Sequence, residues 1–200
     1  VARTIQTLED AGIAGAHIED QVNPKRCGHL DGKEVVDEGT ALGRIRAAVD
    51  ARRDPNFLVM ARTDIRAVDG LDAATDRARK LVDAGADAIF PEAMRTLEEF
   101  AAVRAAVDVP ILANMTEFGK SDLFTVDQLS DVGVNIVIWP VSLLRIAMGA
   151  AERALDTLID EGHLTSRLGE MQHRADLYDL IDYESYNHFD TNVFTFRIDR

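Results

Sequence analysis

Short apolar runs alternate along the chain with longer stretches in which apolar residues recur at helical spacing. The short runs are almost continuously apolar, which is typical of parallel strands buried on both faces. They predict strands over 13–19, 57–61, 88–91, 111–114 and 134–139. The longer stretches predict helices over 35–51, 71–84, 97–107, 123–131, 142–161 and 168–182. Gly85 and Gly133 stand where two of these helices end.

Strands that alternate with crossover helices indicate an α/β fold, either an open doubly wound sheet or a (β/α)8 TIM barrel. Every predicted strand ends in polar or chemically capable residues, which favours the barrel, because barrel enzymes place their chemistry at the carboxyl ends of several strands. Five strands do not close a barrel, so we expect three more on the amino-terminal side of Val1. Residues 1–162 are predicted as a partial barrel domain and 163–200 as a C-terminal helical extension and tail.

The charge balance narrows the classes of partner. The 200 residues carry 22 Lys and Arg against 35 Asp and Glu, a net charge of −13, which argues against a broad surface for nucleic acid or anionic lipid. Cys27 is the sole cysteine, which excludes a disulfide scaffold and favours a reducing, cytoplasmic location. No apolar run is long enough for a membrane span, and the first residues lack the layout of a signal peptide.

The first predicted strand ends in His17-Ile-Glu-Asp-Gln21. Residues two apart share one face of a strand, so His17 and Glu19 point one way and Asp20 points the other. Because Mg²⁺ usually takes one or two protein carboxylates, Glu19 is a candidate metal ligand. The alternative is that Glu19 and Asp20 are only polar residues at a strand end.

A glycine-bearing polar loop that contains Cys27 follows this strand. Lys25 and Arg26 precede the cysteine, and cationic neighbours favour a thiolate. The residue types therefore suit proton donation or nucleophilic attack, whereas a solitary cysteine in another setting is an inert small hydrophobe.

Four further candidates follow successive strands and would meet at one mouth of a barrel. Arginine binds carboxylates with two parallel hydrogen bonds, and amide and hydroxyl groups add neutral ones, so the set suits a small polyanion. Its members are Arg62, Glu92, Asn114 and Thr116, with Arg145 and Arg174 on helices as weaker candidates. Each taken singly is equally explained by a structural salt bridge or helix cap.

Several motifs together resemble the isocitrate lyase and phosphoenolpyruvate mutase superfamily. They are His17-Ile-Glu-Asp-Gln21, Lys25-Arg-Cys-Gly-His29, Met60-Ala-Arg-Thr-Asp64, Phe90-Pro-Glu-Ala93 and Ile111-Leu-Ala-Asn-Met-Thr-Glu-Phe-Gly119. The resemblance runs from about residue 1 to residue 182. It implies a magnesium-dependent barrel, with Mn²⁺ as a possible substitute metal, that cleaves a carbon–carbon bond of a small tricarboxylate.

The resemblance also implies roles for the candidate residues. Cys27 would be the general acid on a gating loop, Lys25 and His29 would tune its thiol, and Glu19 would belong to the metal site. Substrate would be held by Gly28, Arg62, Glu92, Asn114, Thr116, Arg145 and Arg174. The family's two metal-site aspartates and its first substrate-binding loop would fall before Val1. Tetramers that exchange the helix around 168–180 would be the assembly.

Within this superfamily, the resemblance favours cleavage of 2-methylisocitrate to pyruvate and succinate, a step of propionate catabolism. Isocitrate and 2,3-dimethylmalate are the alternative substrates, because both reactions would use the same cysteine. A hypothesis from another class is an inactive fragment or non-catalytic binding subunit, since the metal site would be incomplete in this chain. None of these motifs identifies the base that removes the proton of the substrate hydroxyl.

Overall fold

Five parallel strands form the sheet of the computed structural model, which describes residues 1–195. They are β1 (Gly15–Glu19), β2 (Leu58–Thr63), β3 (Ala88–Pro91), β4 (Leu112–Asn114) and β5 (Ile136–Ile138). β1, β2 and β3 pair in that order, β4 pairs with β5, and a parallel bridge between Ile89 and Ile111 links the two groups. All five predicted strands are confirmed, and β2 continues to Thr63, so Arg62 lies within the strand.

The order of the strands distinguishes between the two predicted architectures. β1 with β2, β2 with β3 and β4 with β5 pair in parallel, and the bridge from Ile89 to Ile111 joins β3 to the residue before β4, so neighbours follow the order of the chain. A doubly wound sheet reverses its strand order at a switch point, whereas a (β/α)8 barrel keeps neighbours in sequence order. The sheet is therefore an arc of a (β/α)8 barrel that carries five strands.

Helices connect the strands and continue beyond the sheet. They are α1 (Ala2–Asp10), α2 (Glu38–Ala51), α3 (Arg66–Asp83), α4 (Leu97–Ala106), α5 (Val126–Asp131), α6 (Ser142–Glu161), α7 (Arg174–Leu180) and α8 (Tyr183–Phe194). Gly85 and Gly133 follow the ends of α3 and α5 with φ of +104° and +84°, which confirms both predicted helix stops. α3 begins at Arg66 rather than at residue 71, because a kink at Gly70 joins an extra turn to it.

Two apolar clusters lie on opposite faces of the sheet. The larger packs the strands against the surrounding helices, with Ile45, Leu81 and Phe100 at 2% exposure or less. The smaller contains Met60, Ala88, Phe90 and Leu112. Because side chains alternate along a strand, the second cluster and the polar strand ends share one face. Within the described residues no helix is long and apolar enough to cross a membrane.

The chain divides into two compact units, Val1–Ser142 and Leu143–Arg200. The first holds the sheet. In the second, the single helix predicted over 168–182 is wrong: a 3-10 helix (Thr165–Glu170) and α7 replace it. Met171 is extended, and the His173 side chain caps α7 by accepting from the Ala175 amide, which fixes a new helix start.

α8 occupies much of the tail that had no predicted element. The last part of that tail, residues 196–200, lies outside the described residues. The predicted domain boundary between 162 and 163 stays a prediction.

Candidate active site

The carboxyl ends of the parallel strands place acidic and basic side chains around Arg62. Its Nε lies 2.9 Å from Glu19 Oε1 at the end of β1 and 3.0 Å from Asp64 Oδ2 just after β2. A terminal nitrogen of the same guanidinium lies 3.2 Å from Glu92 Oε2 after β3. The guanidinium also stands 4.8 Å from the centre of the Phe90 ring. One arginine thus joins three strand ends.

Glu19 is held by three donors. Lys25 Nζ lies 2.9 Å from its Oε2, and Gln21 Nε2 donates to Oε1 at 3.0 Å, beside the contact with Arg62. Burial raises the pKa of Glu19 above 4.5, although the contacts with Lys25 and Arg62 oppose that shift. Nearby Asp64 adds to the increase, because two carboxylates share Arg62.

Glu92 is completely buried, with a side chain that is 1% exposed. Burial would raise its pKa, but His29 and Arg62 lower it below 4.5. Asn114 Nδ2 at the end of β4 donates to both carboxylate oxygens at 3.4 Å. The Asn114 Oδ1 atom is buried and has no hydrogen-bond partner among residues 1–195. This arrangement leaves an acceptor available at the strand ends.

The Cys27 loop, which we define as residues 21–33, lies over these strand ends. Gln21 closes its first part, because its side chain accepts from the Arg26 amide at 2.9 Å and donates to the Arg26 carbonyl at 3.0 Å. Gly28 is buried: a Cβ atom there would lie 2.8 Å from an Arg62 nitrogen and closer still to Glu92. Cys27 itself is exposed. The loop therefore seats its backbone on Arg62 and Glu92 while its thiol faces outward.

His29 connects the loop to two other elements. Its Nε2 lies 2.8 Å from Glu92 Oε1, and its Nδ1 accepts from the Lys120 amide at 2.9 Å. Since Nδ1 is an acceptor, the ring proton of neutral His29 belongs on Nε2, facing Glu92. The Nε2–Oε1 contact is short but poorly aligned for a hydrogen bond, so it is a close electrostatic contact.

The segment after β4, residues 115–120, packs against His29. A Cβ atom on Gly119 would lie 2.6 Å from His29 Nδ1 and 2.9 Å from Thr116 Cγ2, so this position requires glycine. Lys120 Nζ pairs with Asp31 of the Cys27 loop. Thr116 is buried in this segment.

Most of the residues predicted for the site are brought together. Those assembled within the first unit are Glu19, Lys25, Cys27, Gly28, His29, Arg62, Glu92, Asn114 and Thr116. Arg145 and Arg174 belong to the second unit, on α6 and at the start of α7. Lys25 contacts Glu19, and His29 contacts Glu92, while their influence on the thiol and the roles of both arginines stay predictions.

Two buried site residues were missed from the sequence. Asp64 accepts from Arg62, and Lys33 Nζ lies 3.0 Å from Asp64 Oδ1. Burial would raise the pKa of Asp64, but Arg62 and Lys33 lower it below 3.8. Asp64 is the last residue of a motif quoted above, whereas Lys33 lies four residues after one. The available signal was a charged residue at a strand end and another at a loop end.

Asp20 turns away from the site, as strand alternation predicts. Its carboxylate accepts from Thr63 Oγ1 at 2.6 Å and from the Asp64 amide at 2.9 Å, and Arg77 lies 3.2 Å away. Burial raises the pKa of Asp20, partly offset by these contacts. Asp20 thereby fixes the backbone at the end of β2 on which Asp64 stands.

The described side chains do not by themselves fit a magnesium site. No group of three or more His, Cys, Asp or Glu side chains within residues 1–195 is arranged to hold a metal ion. The oxygens of Glu19, the predicted ligand, already face Lys25, Arg62 and Gln21. Two of these three donors are cations, which oppose a divalent ion at the same carboxylate.

Sequence comparison places the chain among known proteins. The family described as Phosphoenolpyruvate phosphomutase matches residues 1–159. The probable 2-methylisocitrate lyase 2 of Corynebacterium glutamicum is 56% identical over 198 residues, which cover 99% of this chain and 64% of the relative. The 2-methylisocitrate lyase of Escherichia coli is 48% identical over 194 residues, with coverages of 97% and 66%. The chain thus spans about 64% of the length of the relative from C. glutamicum.

Solved structures agree with this placement. An oxaloacetate acetylhydrolase in complex with 3,3-difluorooxalacetate has a TM-score of 0.86 at 35% identity and covers 98% of this chain and 67% of its own. A 2,3-dimethylmalate lyase, a PEP mutase/isocitrate lyase superfamily member, has a TM-score of 0.83 at 33% identity, with coverages of 100% and 68%. A phosphonopyruvate hydrolase in complex with oxalate and Mg²⁺ has a TM-score of 0.76 at 26% identity, with coverages of 95% and 66%. The chain belongs to the phosphoenolpyruvate phosphomutase family.

Proposed function

We propose that this chain is part of a carbon–carbon lyase that cleaves 2-methylisocitrate into pyruvate and succinate. The observation that carries the proposal is the seating of the Cys27 loop: Gly28 packs on Arg62 and Glu92 at the strand ends, and the adjacent thiol is exposed. The residue next to the proton donor thus packs on an arginine that suits a carboxylate. The 56% identity to a probable 2-methylisocitrate lyase supports the choice of substrate.

The chemistry requires a proton at one carbon. Cleavage removes the proton of the substrate hydroxyl and turns the hydroxyl-bearing carbon into the carbonyl of pyruvate. The electron pair of the broken carbon–carbon bond stays on the adjacent carbon, in the succinate fragment. Cys27 donates its S–H proton to that carbon, which completes succinate. The residue that accepts the hydroxyl proton is not assigned to this chain.

The neighbouring side chains bind and orient the substrate. The Arg62 guanidinium suits a substrate carboxylate, because its planar donors match both oxygens. Glu92 balances the charge of Arg62 and fixes the amide of Asn114, whose buried Oδ1 accepts from a substrate hydroxyl. Closure of the Cys27 loop excludes water from the carbanion, which would otherwise be protonated without control.

We also propose that the complete protein requires Mg²⁺ for this reaction. The phosphonopyruvate hydrolase noted above binds Mg²⁺ with oxalate. Since Glu19 alone does not fit a metal site, no step is assigned to a metal here. When bound, such a metal would supply charge stabilisation to the substrate oxygens.

Assembly into a homotetramer and a location in the cytoplasm complete the proposal. Large apolar side chains are exposed in the second unit, including Leu143 at 83%, Ile159 at 81% and Phe194 at 86%. Such side chains support an assembly in which they become covered. Light scattering on the complete protein, eluted from a sizing column, measures the number of subunits.

The test of the reaction uses the complete protein with Mg²⁺ and 2-methylisocitrate, and measures pyruvate. We expect Cys27→Ser to lower kcat by about 10²-fold or more, because a serine hydroxyl is a far weaker acid, while the far-UV circular dichroism is unchanged. Leu30→Ala is the matched control, since Leu30 is exposed on the same loop. Equal activity of Cys27→Ser and the wild type refutes the role of the thiol.

A substrate panel decides between the family reactions. Isocitrate and 2,3-dimethylmalate are assayed beside 2-methylisocitrate under the same conditions, and we expect the last to have the highest kcat/KM. A preference for 2,3-dimethylmalate would assign the activity of the structural neighbour instead. Absence of turnover with all three, in a folded complete protein, would support the non-catalytic alternative.

A further inference from the structure

Lys33 is a buried lysine at the far end of the Cys27 loop. Its side chain is 2% exposed. The ammonium group contacts the Gly28 carbonyl oxygen and lies 3.0 Å from Asp64 Oδ1. A lysine is rarely so buried unless its charge is paired, and here both partners are fixed points of the site. The contact to Gly28 acts on the residue next to the thiol.

The partners of Lys33 belong to different parts of the site. Gly28 is part of the loop, whereas Asp64 follows β2, binds Arg62 through its other oxygen and is held by Asp20 at its amide. The ammonium group therefore ties a loop carbonyl to the rigid end of a buried strand. Two other loop side chains also reach strand ends, because Lys25 contacts Glu19 and His29 contacts Glu92. Gln21 acts within the loop, and His29 and Asp31 bind the segment after β4.

A cavity of about 260 Å³ lies beside the loop. It is lined by Gln21, Val22, Asn23, Pro24, Arg26, Gly32, Lys33 and Glu34. Close packing therefore does not by itself hold this part of the loop, because unfilled space next to a segment leaves room for it to move. Polar contacts must supply the restraint, and Lys33 makes one that joins the backbone of the loop, at the Gly28 carbonyl, to a strand end at Asp64.

We propose that Lys33 is a positioning residue that holds the Cys27 loop on the strand ends by tying the Gly28 carbonyl to Asp64. Without the ammonium group, Gly28 leaves Arg62 and Glu92 more often, and the loop that carries the thiol spends less time seated on the strand ends. Lys33 acts through the backbone and touches neither the thiol nor the reacting atoms. Its effect on catalysis rests on the proposed function, whereas its effect on the loop does not.

Hydrogen exchange on the complete protein tests the effect on the loop. The Arg26 and Leu30 amides donate within the loop, to Gln21 Oε1 and to the Cys27 carbonyl, and report its opening. We expect Lys33→Met to speed their exchange roughly tenfold, the loss expected for one hydrogen bond to a charged group. The Ile89 amide, which donates to the Pro110 carbonyl in the sheet, should exchange at the wild-type rate.

Lys80→Met is the matched control. Lys80 is a solvent-accessible lysine on α3 that pairs with Glu38 and Asp76, far from the loop contacts. Its variant should leave all three amides unchanged. Unchanged exchange of Arg26 and Leu30 in Lys33→Met overturns the proposal. Equal acceleration of Ile89 also overturns it, because Lys33 would then support the whole fold rather than the loop.

A second variant covers the case in which Lys33→Met does not fold because Asp64 loses a partner. Lys33→Met/Asp64→Asn removes both charges, and Arg62 keeps its contacts with Glu19 and Glu92. The same two loop amides are compared with Ile89 in this protein. Faster exchange confined to the loop supports the proposal, and any other pattern contradicts it.

The catalytic readout is the split between kcat and KM in the complete protein. We expect Lys33→Met to lower kcat roughly tenfold with little change in KM, because substrate binds at the strand ends and the loop delivers the proton. A wild-type protein without lyase activity would refute the proposed function and leave the exchange result standing. A rise in KM with unchanged kcat would contradict the positioning role alone.

Discussion

His29 Nε2 lies 2.8 Å from Glu92 Oε1, so a residue of the Cys27 loop faces a carboxylate that is buried at the end of the sheet. The other oxygen of the same carboxylate pairs with the Arg62 guanidinium. Glu92 is therefore the point at which the loop, β2 and β3 meet, and its ionised form is the one that these contacts stabilise.

Glu92 makes stability depend on pH in a defined direction. Its pKa is lowered from 4.5, after burial is outweighed by His29 and Arg62, so the unfolded chain takes up this proton at a higher pH than the folded chain does. The contribution to stability is present above pH 4.5 and is lost as pH falls through the folded pKa. Urea unfolding at a series of pH values measures this loss.

Replacing Glu92 by Gln measures the contribution of this carboxylate to the free energy of unfolding. We expect Glu92→Gln to lower the free energy of unfolding at pH 7 by about 3 kcal/mol, since Arg62 loses a buried partner. The variant should also lose less stability than the wild type on acidification below pH 4.5. Parallel pH profiles of the two proteins would contradict the assignment.

Gly28→Ala tests the seating of the loop. The added Cβ would lie 2.8 Å from an Arg62 nitrogen and closer to Glu92, so the loop must lift. We expect kcat of the complete protein to fall at least about tenfold, because the thiol is misplaced. Gly43→Ala on α2 is the control, since nothing lies within 4 Å of its added Cβ. Wild-type activity of Gly28→Ala would show that the loop does not rest there during turnover.

Arg62→Lys tests whether the shape of the guanidinium matters. A single ammonium group does not reach Glu19, Asp64 and Glu92 together, as the planar fork does. We expect a loss of about 2–4 kcal/mol in the free energy of unfolding. Arg79→Lys, on an exposed pair with Asp76, should change it by less than about 0.5 kcal/mol. Chemical unfolding at pH 7 compares the two variants, and equal effects would contradict the argument.

We expect magnesium binding to differ between this chain and the complete protein. Glu19 faces two cations, and no group of three or more His, Cys, Asp or Glu side chains within residues 1–195 is arranged to hold a metal ion. We therefore expect titration calorimetry on the 200-residue chain to show no tight Mg²⁺ binding, and an activity assay to show no turnover. Circular dichroism of the same sample checks that the chain is folded. Tight binding to the folded chain would show that Glu19 exchanges its partners for the ion.

The sequence predicts the sheet well because buried parallel strands are continuously apolar and glycines end the helices between them. β3 begins and ends as predicted, and Gly85 and Gly133 adopt the left-handed backbone that helix ends favour. The single helix over 168–182 failed because its apolar spacing runs through a cap. The His173 side chain satisfies a helix amide there, and periodicity does not report such a local hydrogen bond.

The strand-end residues Glu19, Arg62, Glu92 and Asn114 were found because parallel strands finish at one edge. Lys33 and Asp64 were missed for a different reason. Their importance comes from burial and from contacts across 31 positions of sequence, which composition and spacing do not encode. A charged residue in a polar loop reads as solvated until its burial is known.

The pairing of each strand with its successor has a consequence for how the sheet is made. As the chain leaves the ribosome, β2 meets a β1 that is already complete, and β3 then meets β2, with a packed helix synthesised between each pair. Along these residues each strand can join one that is already made, and contacts close in sequence favour rapid folding.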